Sequence, residues 1–338
     1  MAWYTEKGNM QDVVLSTRVR FARNLTQYPF ASRLSDASAS EIIDQVVSVL
    51  PEYSVKRFGK NGDPQLRSLM EMHCVSPEFV SSSHPRALIT GENERIQIMV
   101  CEEDHLRIQS IVPGFDPEGA FAYASKADDI LCNKLDIAFS ENYGYLTHCP
   151  TNLGAAMRAS AMLCLPALTM RRSIDGYAQA LSKMGITIRG VYGEGTRAAG
   201  CLYQISNRAS LGIAETEIIK LLSDVIKNIV EAERKARKAI FDVNKLSLTD
   251  KIARAVGILK NAHVLSSDEF SEYFANLKLG VSLGVVEGIT DEKLSEIFIA
   301  VQPATLSLCR EGLSDEAARD VARAALLRDT LKNAAVCH

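Results

Sequence analysis

What the sequence does not contain narrows it first. No apolar run reaches the roughly 18–20 residues that a bilayer crossing requires, and Met1 to Asn9 has no basic-then-apolar leader pattern, so a cytoplasmic protein without a membrane partner is expected. Eight cysteines (Cys74, Cys101, Cys132, Cys149, Cys164, Cys201, Cys309 and Cys337) are scattered without a C-x-x-C pair. That excludes a disulfide scaffold or a zinc knuckle, and most of them read as small buried hydrophobes. No excess of one charge is present either: 38 Lys plus Arg face 41 Asp plus Glu, a net charge of −3. Bulk nucleic-acid binding needs a basic surface and is excluded, although a locally basic pocket is not. The P-loop pattern, the H-R-D…D-F-G series of ordinary protein kinases, the G-x-S-x-G elbow and the H-E-x-x-H zinc helix are all missing.

What is there is a soluble globular composition, 47% hydrophobic and 23% charged over 338 residues, enough for one large or two ordinary domains. Arg95 to Val100 alternates with Ile96, Ile98 and Val100 on one face, which predicts a half-buried strand. Ile186–Arg189 and Cys201–Ser206 read as strands around a Gly-rich loop. Ile42, Ile43, Val46, Val47 and Leu50 are spaced as on a helix, and further helices are predicted over Asn152–Leu165 and Ser173–Met184, the second stopped by Gly185. Ala214–Phe241 is a long amphipathic stretch whose polar end, residues 231–238, reads as solvated. Only helical patterns follow, over 249–260, 266–277, 291–302 and 314–333. The expectation is an α+β domain with a mainly antiparallel sheet over residues 1–241, then a small all-helical domain over 242–338.

Four segments carry chemistry-bearing residues. In Ser16-Thr-Arg-Val-Arg-Phe-Ala-Arg-Asn24, Arg18 and Arg20 share one face of an extended strand, where paired guanidinium forks suit a polyphosphate; an exposed basic edge is the plainer reading. Val100-Cys-Glu-Glu-Asp-His-Leu-Arg107 sets three acids after an apolar strand, an arrangement that also serves merely to cap a helix or face solvent. In Thr147-His-Cys-Pro-Thr-Asn-Leu-Gly-Ala-Ala-Met-Arg-Ala-Ser160, Cys149 would stand at the N-terminus of the predicted helix, where the dipole favours a thiolate. Arg189-Gly-Val-Tyr-Gly-Glu-Gly195 is a Gly-rich turn with one Arg and one Glu, able to bring backbone close to a ligand or to act as a plain hairpin.

Together and in this order the four segments resemble the phosphagen kinase family, which transfers the γ-phosphate of ATP to a guanidinium. The family elements S-[ST]-R-[VI]-R…R-N, N-E-E-D-H-L-R, C-P-[ST]-N-x-G…R-A-S and R-G-x-x-G-E appear as Ser16–Asn24, Cys101–Arg107, Cys149–Ser160 and Arg189–Glu194, and the likeness spans about residues 12–212. Within that family the chain is similar to the bacterial McsB-type protein-arginine kinases. The first arginine motif begins at residue 16, leaving no room for the additional N-terminal helical domain of about 100 residues in small-guanidine kinases. Tyr192 stands where those kinases tend to carry another Arg. Arg319-Asp-Val-Ala-Arg-Ala324 matches a C-terminal R-D-x-x-R-A element that forms an allosteric phosphoarginine pocket in the family. From spacing alone, Arg319 and Arg323 are simply an i,i+4 pair on a helix.

The resemblance implies ATP as phosphoryl donor with Mg²⁺ held mainly by its phosphates, and no protein metal ligand. It assigns Arg18, Arg20, Arg107, Arg158 and Arg189 to the phosphates. Ser16, Thr17, Val19, His73, Ala159, Ser160, Ala161, Met162, Gly190, Val191, Tyr192, Gly193 and Glu194 are implied as further nucleotide-binding positions. Glu103 and Glu194 would hold the acceptor guanidinium and take its proton, Cys149 would add negative charge beside it, and Glu102 is a neighbouring candidate. The C-terminal pocket would comprise Arg319, Asp320, Arg323 and Ala324. Where the family has Asn, Cys101 removes an amide group expected near the site. Implied partners are proteins with exposed arginines, a zinc-binding activator of the McsA type and the Clp protease machinery, in a stress response, with a homodimer plausible from the family. A free-arginine kinase and a silent phosphoarginine-binding adaptor are the alternatives.

Overall fold

The computed structural model describes residues 2–59, 63–191, 198–310, 313 and 315–337. Strand β1 (Val14–Arg23) leads through helix α1 (Asp36–Val49) to β2 (Ser54–Phe58) and the short helices α2 (Pro64–Glu71) and α3 (Pro77–Ser81). A meander of β3 (Arg86–Gly91), β4 (Ile96–Val100) and β5 (Leu106–Pro113) follows. Helix α4 (Pro117–Lys134), the small hairpin β6 (Phe139–Ser140) and β7 (Gly144–Tyr145), and strand β8 (Met157–Cys164) come next. Helices α5 (Pro166–Met170) and α6 (Ile174–Lys183) precede β9 (Ile186–Gly190) and β10 (Leu202–Asn207). The rest is mainly helical: α7 (Glu215–Asn261), α8 (Ser267–Ser282), α9 (Asp291–Ala300), α10 (Pro303–Cys309) and α11 (Glu316–Thr330), with a two-stranded ladder of β11 (Val286–Glu287) and β12 (Ala335–Val336).

Among the described residues, eight strands form one antiparallel sheet in the order β2-β3-β4-β5-β1-β8-β10-β9. This is the expected α+β architecture. The two-residue period of a strand divides the sheet into two unlike faces. One face sends Val19 and Phe21 from β1, Ala159 and Ala161 from β8, and Ile188 and Ile205 from the far edge into a core closed by α1, α4, α6 and the first half of α7. Among the described residues the other face is covered only at its ends. Leu15, Ile111, Met162, Cys164 and Leu202 join a second core with the C-terminal helices, and Leu88 and Met99 pack on α2 and α3 through Leu66 and Phe79. The middle of this face stays open.

Several local readings change. Asn152–Leu165 is not a helix: Pro150–Asn152 makes one 3₁₀ turn and Met157–Cys164 is a central strand bonded to β1 and β10. Its alanines favour a helix in isolation, but two ladders of long-range hydrogen bonds outweigh that propensity. Strand β4 is buried along both faces rather than half-buried, because α2 and α3 cover Met99 and Gln97 bonds to Gln109 at 3.1 Å. Asn244, with φ −127° and ψ 37°, interrupts a helical run that continues from Ala214–Phe241 through 249–260. The C-terminal region also holds α10 and the β11–β12 ladder, which no periodicity announces.

Residues 231–238 are not uniformly solvated. Glu233 and Arg237 are buried and paired at 2.7 Å. The Glu233 carboxylate also accepts the first N–H groups of α5, from Ala167 at 3.0 Å and Leu168 at 2.9 Å, supplying a cap that Leu165 cannot. Arg237 in turn donates to Asp12 O and Cys164 O, both at 3.1 Å. Replacing Glu233 by Ala leaves two helix N–H groups without an acceptor and takes from the buried guanidinium its nearer carboxylate, with Asp12 remaining at 3.7 Å. The expected loss is about 3–5 kcal/mol, read as a lower urea midpoint with an unchanged m-value; a midpoint within error of wild type would show the pair to be dispensable.

Candidate active site

The open middle of the sheet is a cleft of about 890 Å³. Its floor follows from strand alternation. Arg18 and Arg20 project from β1, Arg107 from β5, Arg158 from β8 and Arg189 from β9, all lining the cleft. Arg20 lies directly opposite Arg158 in the β1–β8 register, a pairing of like charges that costs energy in a sheet. Burial lowers the Arg18 guanidinium to about 10, with Arg107 and Arg158 adding repulsion. Burial pushes Arg20 well down, reinforced by Arg18, Arg107 and Arg158 and opposed by Glu102. Arg158 is lowered by burial and then by Arg189 and Arg107. A surface that concentrates cations at this cost is built for a polyanion.

The same alternation sorts the remaining nucleotide-site candidates. Ser16, Ser160, Met162 and Val191 line a narrow extension at the base of the cleft together with Arg18 and His73, and Gly190 lines the cleft itself. Thr17, Val19, Ala159 and Ala161 point through the other face. Val19, Ala159 and Ala161 belong to the large core, and the Thr17 hydroxyl donates to Gly114 O at 2.7 Å. They form the strands that carry the site and present no side chain to it. Tyr192, Gly193 and Glu194 lie outside the described residues. Sequence reasoning missed Arg208, an exposed guanidinium at the cleft wall, and Thr187, Gln204 and Ser206 on β9 and β10; the signal available was the same every-second-residue spacing along those strands.

The acidic segment is a tight connection between β4 and β5, and its three carboxylates do different work. Glu103 lines the cleft and pairs with Arg107 at 2.7 Å. Glu102 lies beneath, fully buried, paired with the other nitrogen of Arg107 at 2.7 Å and accepting a short bond from Ser76 Oγ. Burial raises its pKa against the opposing pull of Arg107 and Ser76. It supports Arg107 from below and is not open to the cleft. Asp104 is buried and accepts from Asn24 Nδ2 and from His148 N, both at 2.7 Å, tying the Cys149 segment to the sheet. His105 accepts from Leu25 N at 3.1 Å and bonds Pro29 O at 2.8 Å; burial lowers its pKa, in keeping with a neutral ring that bridges two loops.

Cys149 lines the cleft, its Sγ 3.0 Å from Thr151 Oγ1. It precedes a single 3₁₀ turn, so the helix dipole invoked from sequence is not available to it. Cys101 does not belong to the site at all: its thiol turns into the core toward Ala39 O, and burial holds its pKa at about 12. Its φ of +62° is a conformation that Asn tolerates better than most residues, which gives a backbone reason for the family residue there. In the C-terminal region, Arg323 is buried and commits Nε to Val301 O at 3.1 Å and Nη1 to Leu265 O at 2.7 Å and to Asp320. Arg319 and Asp320 are half-buried beside it and Ala324 is in the core.

His73 follows α2 with φ +61°. Its carbonyl accepts from Gln109 at 2.8 Å, its ring lies 5.9 Å from that of Trp3, and its Nε2 is buried at the cleft with no partner among the described residues. Arg20 Nε is likewise buried without a partner among them. Unpaired donors and acceptors of this kind are costly unless a ligand meets them.

A family model described as the ATP:guanido phosphotransferase C-terminal catalytic domain matches residues 39–236. The chain belongs to the ATP:guanido phosphotransferase family and is a kinase. A second model, described as the protein-arginine kinase McsB C-terminal domain, matches residues 245–337. Relatives along nearly the whole chain bear that more particular name. The protein-arginine kinase of Bacillus subtilis (strain 168) is 38% identical over 338 residues, covering 98% of this chain and 93% of that protein. That of Halothermothrix orenii is 38% identical over 334 residues, covering 97% and 96%. The fold is shared with the duplicated taurocyamine kinase of Schistosoma mansoni, with TM-score 0.58 and 21% identity over 76% of this chain but only 41% of that one. It is shared also with a lombricine kinase, with TM-score 0.57 and 24% identity over 69% of this chain and 70% of that one.

Burial holds the His73 ring far below its ordinary 6.5, at about 3, with Arg18 contributing. The folded ring is therefore neutral where the unfolded one takes a proton, so the chain loses stability as the pH falls from 6.5 toward 3. His73→Asn, which suits the positive φ, is expected to lose about 2 kcal/mol less than wild type between pH 7 and pH 5. Denaturant titrations at the two values measure it, and an unchanged difference would mean the ring is protonated in the folded state.

Proposed function

We propose that the chain is a protein-arginine kinase that transfers the γ-phosphoryl group of ATP to arginine side chains of proteins. The observation that carries this reading is one cleft in which an arginine-lined floor meets a carboxylate, Glu103, and a thiol, Cys149. The unpaired His73 Nε2 and Arg20 Nε fit a nucleotide there, because both atoms gain partners from a polar, polyanionic ligand. When bound, the nucleotide supplies the phosphoryl group and an accompanying Mg²⁺ offsets its charge. Among the described residues no three His, Cys, Asp or Glu side chains converge to hold a metal.

Phosphoryl transfer demands positioning and charge neutralisation more than covalent chemistry. Arg18, Arg20, Arg158 and Arg189 would hold the phosphates from the floor, with Arg208 at the wall. Arg107 has two carboxylates of its own, so its charge is balanced before a ligand arrives. Engaging the phosphates releases Glu103 from it, while Glu102 keeps the guanidinium anchored. An acceptor arginine is protonated at physiological pH, with a pKa above about 12, and its lone pairs are delocalised. Glu103 would fix its planar fork in line with the phosphate and accept the proton lost as the N–P bond forms and the bond from the γ-phosphorus to the departing ADP oxygen breaks. Glu194 is proposed as the second carboxylate, and Cys149 as a neighbouring negative charge rather than a covalent nucleophile.

Beyond the chemistry, residues 1–241 form the catalytic domain and 242–338 the regulatory one in this reading. Arg319, Asp320, Arg323 and Ala324 make a phosphoarginine pocket, with Arg319 as the contacting cation because Arg323 already makes three internal hydrogen bonds. The modified proteins go to Clp proteolysis during stress, with a zinc-binding activator of the McsA type, in the cytoplasm and as a homodimer. Support for these finer statements is the resemblance of motifs and the matched C-terminal domain. No described helix is long and apolar enough to cross a membrane.

A substrate protein incubated with ATP, Mg²⁺ and the kinase is expected to carry acid-labile phosphoarginine by mass spectrometry. Glu103→Ala should lower the rate by about 100-fold or more, the scale of a lost general base, and Cys149→Ala should also yield much less product. Undiminished product from Glu103→Ala would overturn the mechanism, and transfer to free arginine alone would favour the small-guanidine reading.

A further inference from the structure

We propose that Glu71, which is not part of the catalytic set, is a positioning residue through which helix α10 sets the affinity of the cleft for its nucleotide. The inference rests on the nucleotide reading above. Glu71 ends α2, two residues before His73, and its carboxylate reaches across to the C-terminal region. It accepts from Ala304 N at 2.8 Å, Thr305 N at 2.7 Å and Thr305 Oγ1 at 2.8 Å. Helix α10 has no side-chain cap of its own at Gln302. Its first free N–H groups are thus satisfied from a distant part of the chain, by a residue that also lines the cleft.

The turn that carries His73 is closed by its own backbone bonds, Met72 N to Ser68 O, His73 N to Met70 O and Cys74 N to Leu69 O, each at 2.9 Å, and is tied to the rest of the chain at few points. Trp3 Nε1 donates to Met72 O at 2.9 Å and Gln109 to His73 O at 2.8 Å, while His73 itself sits at φ +61°. Such a backbone persists only where its surroundings hold it. With the Glu71 carboxylate released, the turn can relax and carry the unpaired Nε2 away from the cleft. On the other side, Val301, two residues before α10, accepts from the buried Arg323 of α11. The chain of contacts from α11 through α10 and Glu71 to His73 is continuous, so nucleotide binding and the seating of α10 favour one another by linkage.

The test uses the full chain and measures Mg-ATP affinity by calorimetry alongside steady-state kinetics. Glu71→Ala is expected to raise Kd and KM for ATP about tenfold, the scale of lost hydrogen bonds to a charged acceptor, with kcat and the KM for the protein substrate within about twofold. Glu71→Gln, which keeps an acceptor, should recover part of the loss. Thr305→Val removes one donor with little change in volume and should weaken ATP binding by a few-fold even if Glu71→Ala does not fold; combined with Glu71→Gln it should add less than its separate effect. An ATP affinity unchanged in folded Glu71→Ala, or unchanged in Thr305→Val, overturns the proposal, as does a fall in kcat with constant KM. Wild-type protein that binds no ATP would instead remove the nucleotide reading itself, which separates the two failures.

Discussion

Arginine repulsion is the constraint around which the rest of the structure is arranged. Arg18, Arg20, Arg107, Arg158 and Arg189 share one sheet face, and among the described residues only Arg107 of the five has ion-pair partners. Water alone cannot hold Arg20 comfortably, because its Nε is buried. Stability must come from elsewhere to keep these cations together: from the opposite face, where the same strands bury Val19, Phe21, Ala159 and Ala161. The sheet is thus a plate with an apolar side that drives folding and a polar side that resists it. A ligand carrying several negative charges converts the resistance into affinity.

Loops around the plate are fixed with more care than loops usually receive. Asp104 and His105, sitting between two acidic positions and a cleft-lining arginine, bond the Asn24 side chain and the backbone at Leu25, Pro29 and His148. They place Cys149 and the neighbourhood of Glu103 by hydrogen bonds rather than by packing. Of the three acids Glu103 alone lines the cleft, and the uniform look of the run conceals a division between reaching the cleft, bracing Arg107 and anchoring the loops. Removing Asp104 would cost more than a surface carboxylate, since two donors would be left without their acceptor.

How much of this was legible in the sequence depended on the range of the interaction. The arginines of β1 were readable because Arg18 and Arg20 differ by two positions, and a strand puts such residues on one side. The α+β class and most helices also followed from local spacing. Ala155 to Ala161 misled because a short alanine-rich segment says helix until its two neighbouring strands are known. Glu233 and Arg237 looked solvated because their partners, Asp12 and residues 164–168, are distant in the chain. Glu102 looked equivalent to Glu103, and nothing in their adjacency says which of two neighbours turns inward. The helix dipole at Cys149 failed with the helix it was drawn from.

The position of β1 within the sheet has a consequence for synthesis. The strand that carries Arg18 and Arg20 emerges early, yet it lies between β5 and β8, whose residues come roughly 90 and 140 positions later. At about 5–20 residues per second, a nascent β1 waits on the order of ten seconds for either neighbour. Through that interval both its edges are unpaired, a state prone to pairing with other chains. The two guanidinium groups that later burden the folded sheet then act in its favour, since strands bearing like charges are poor partners for one another.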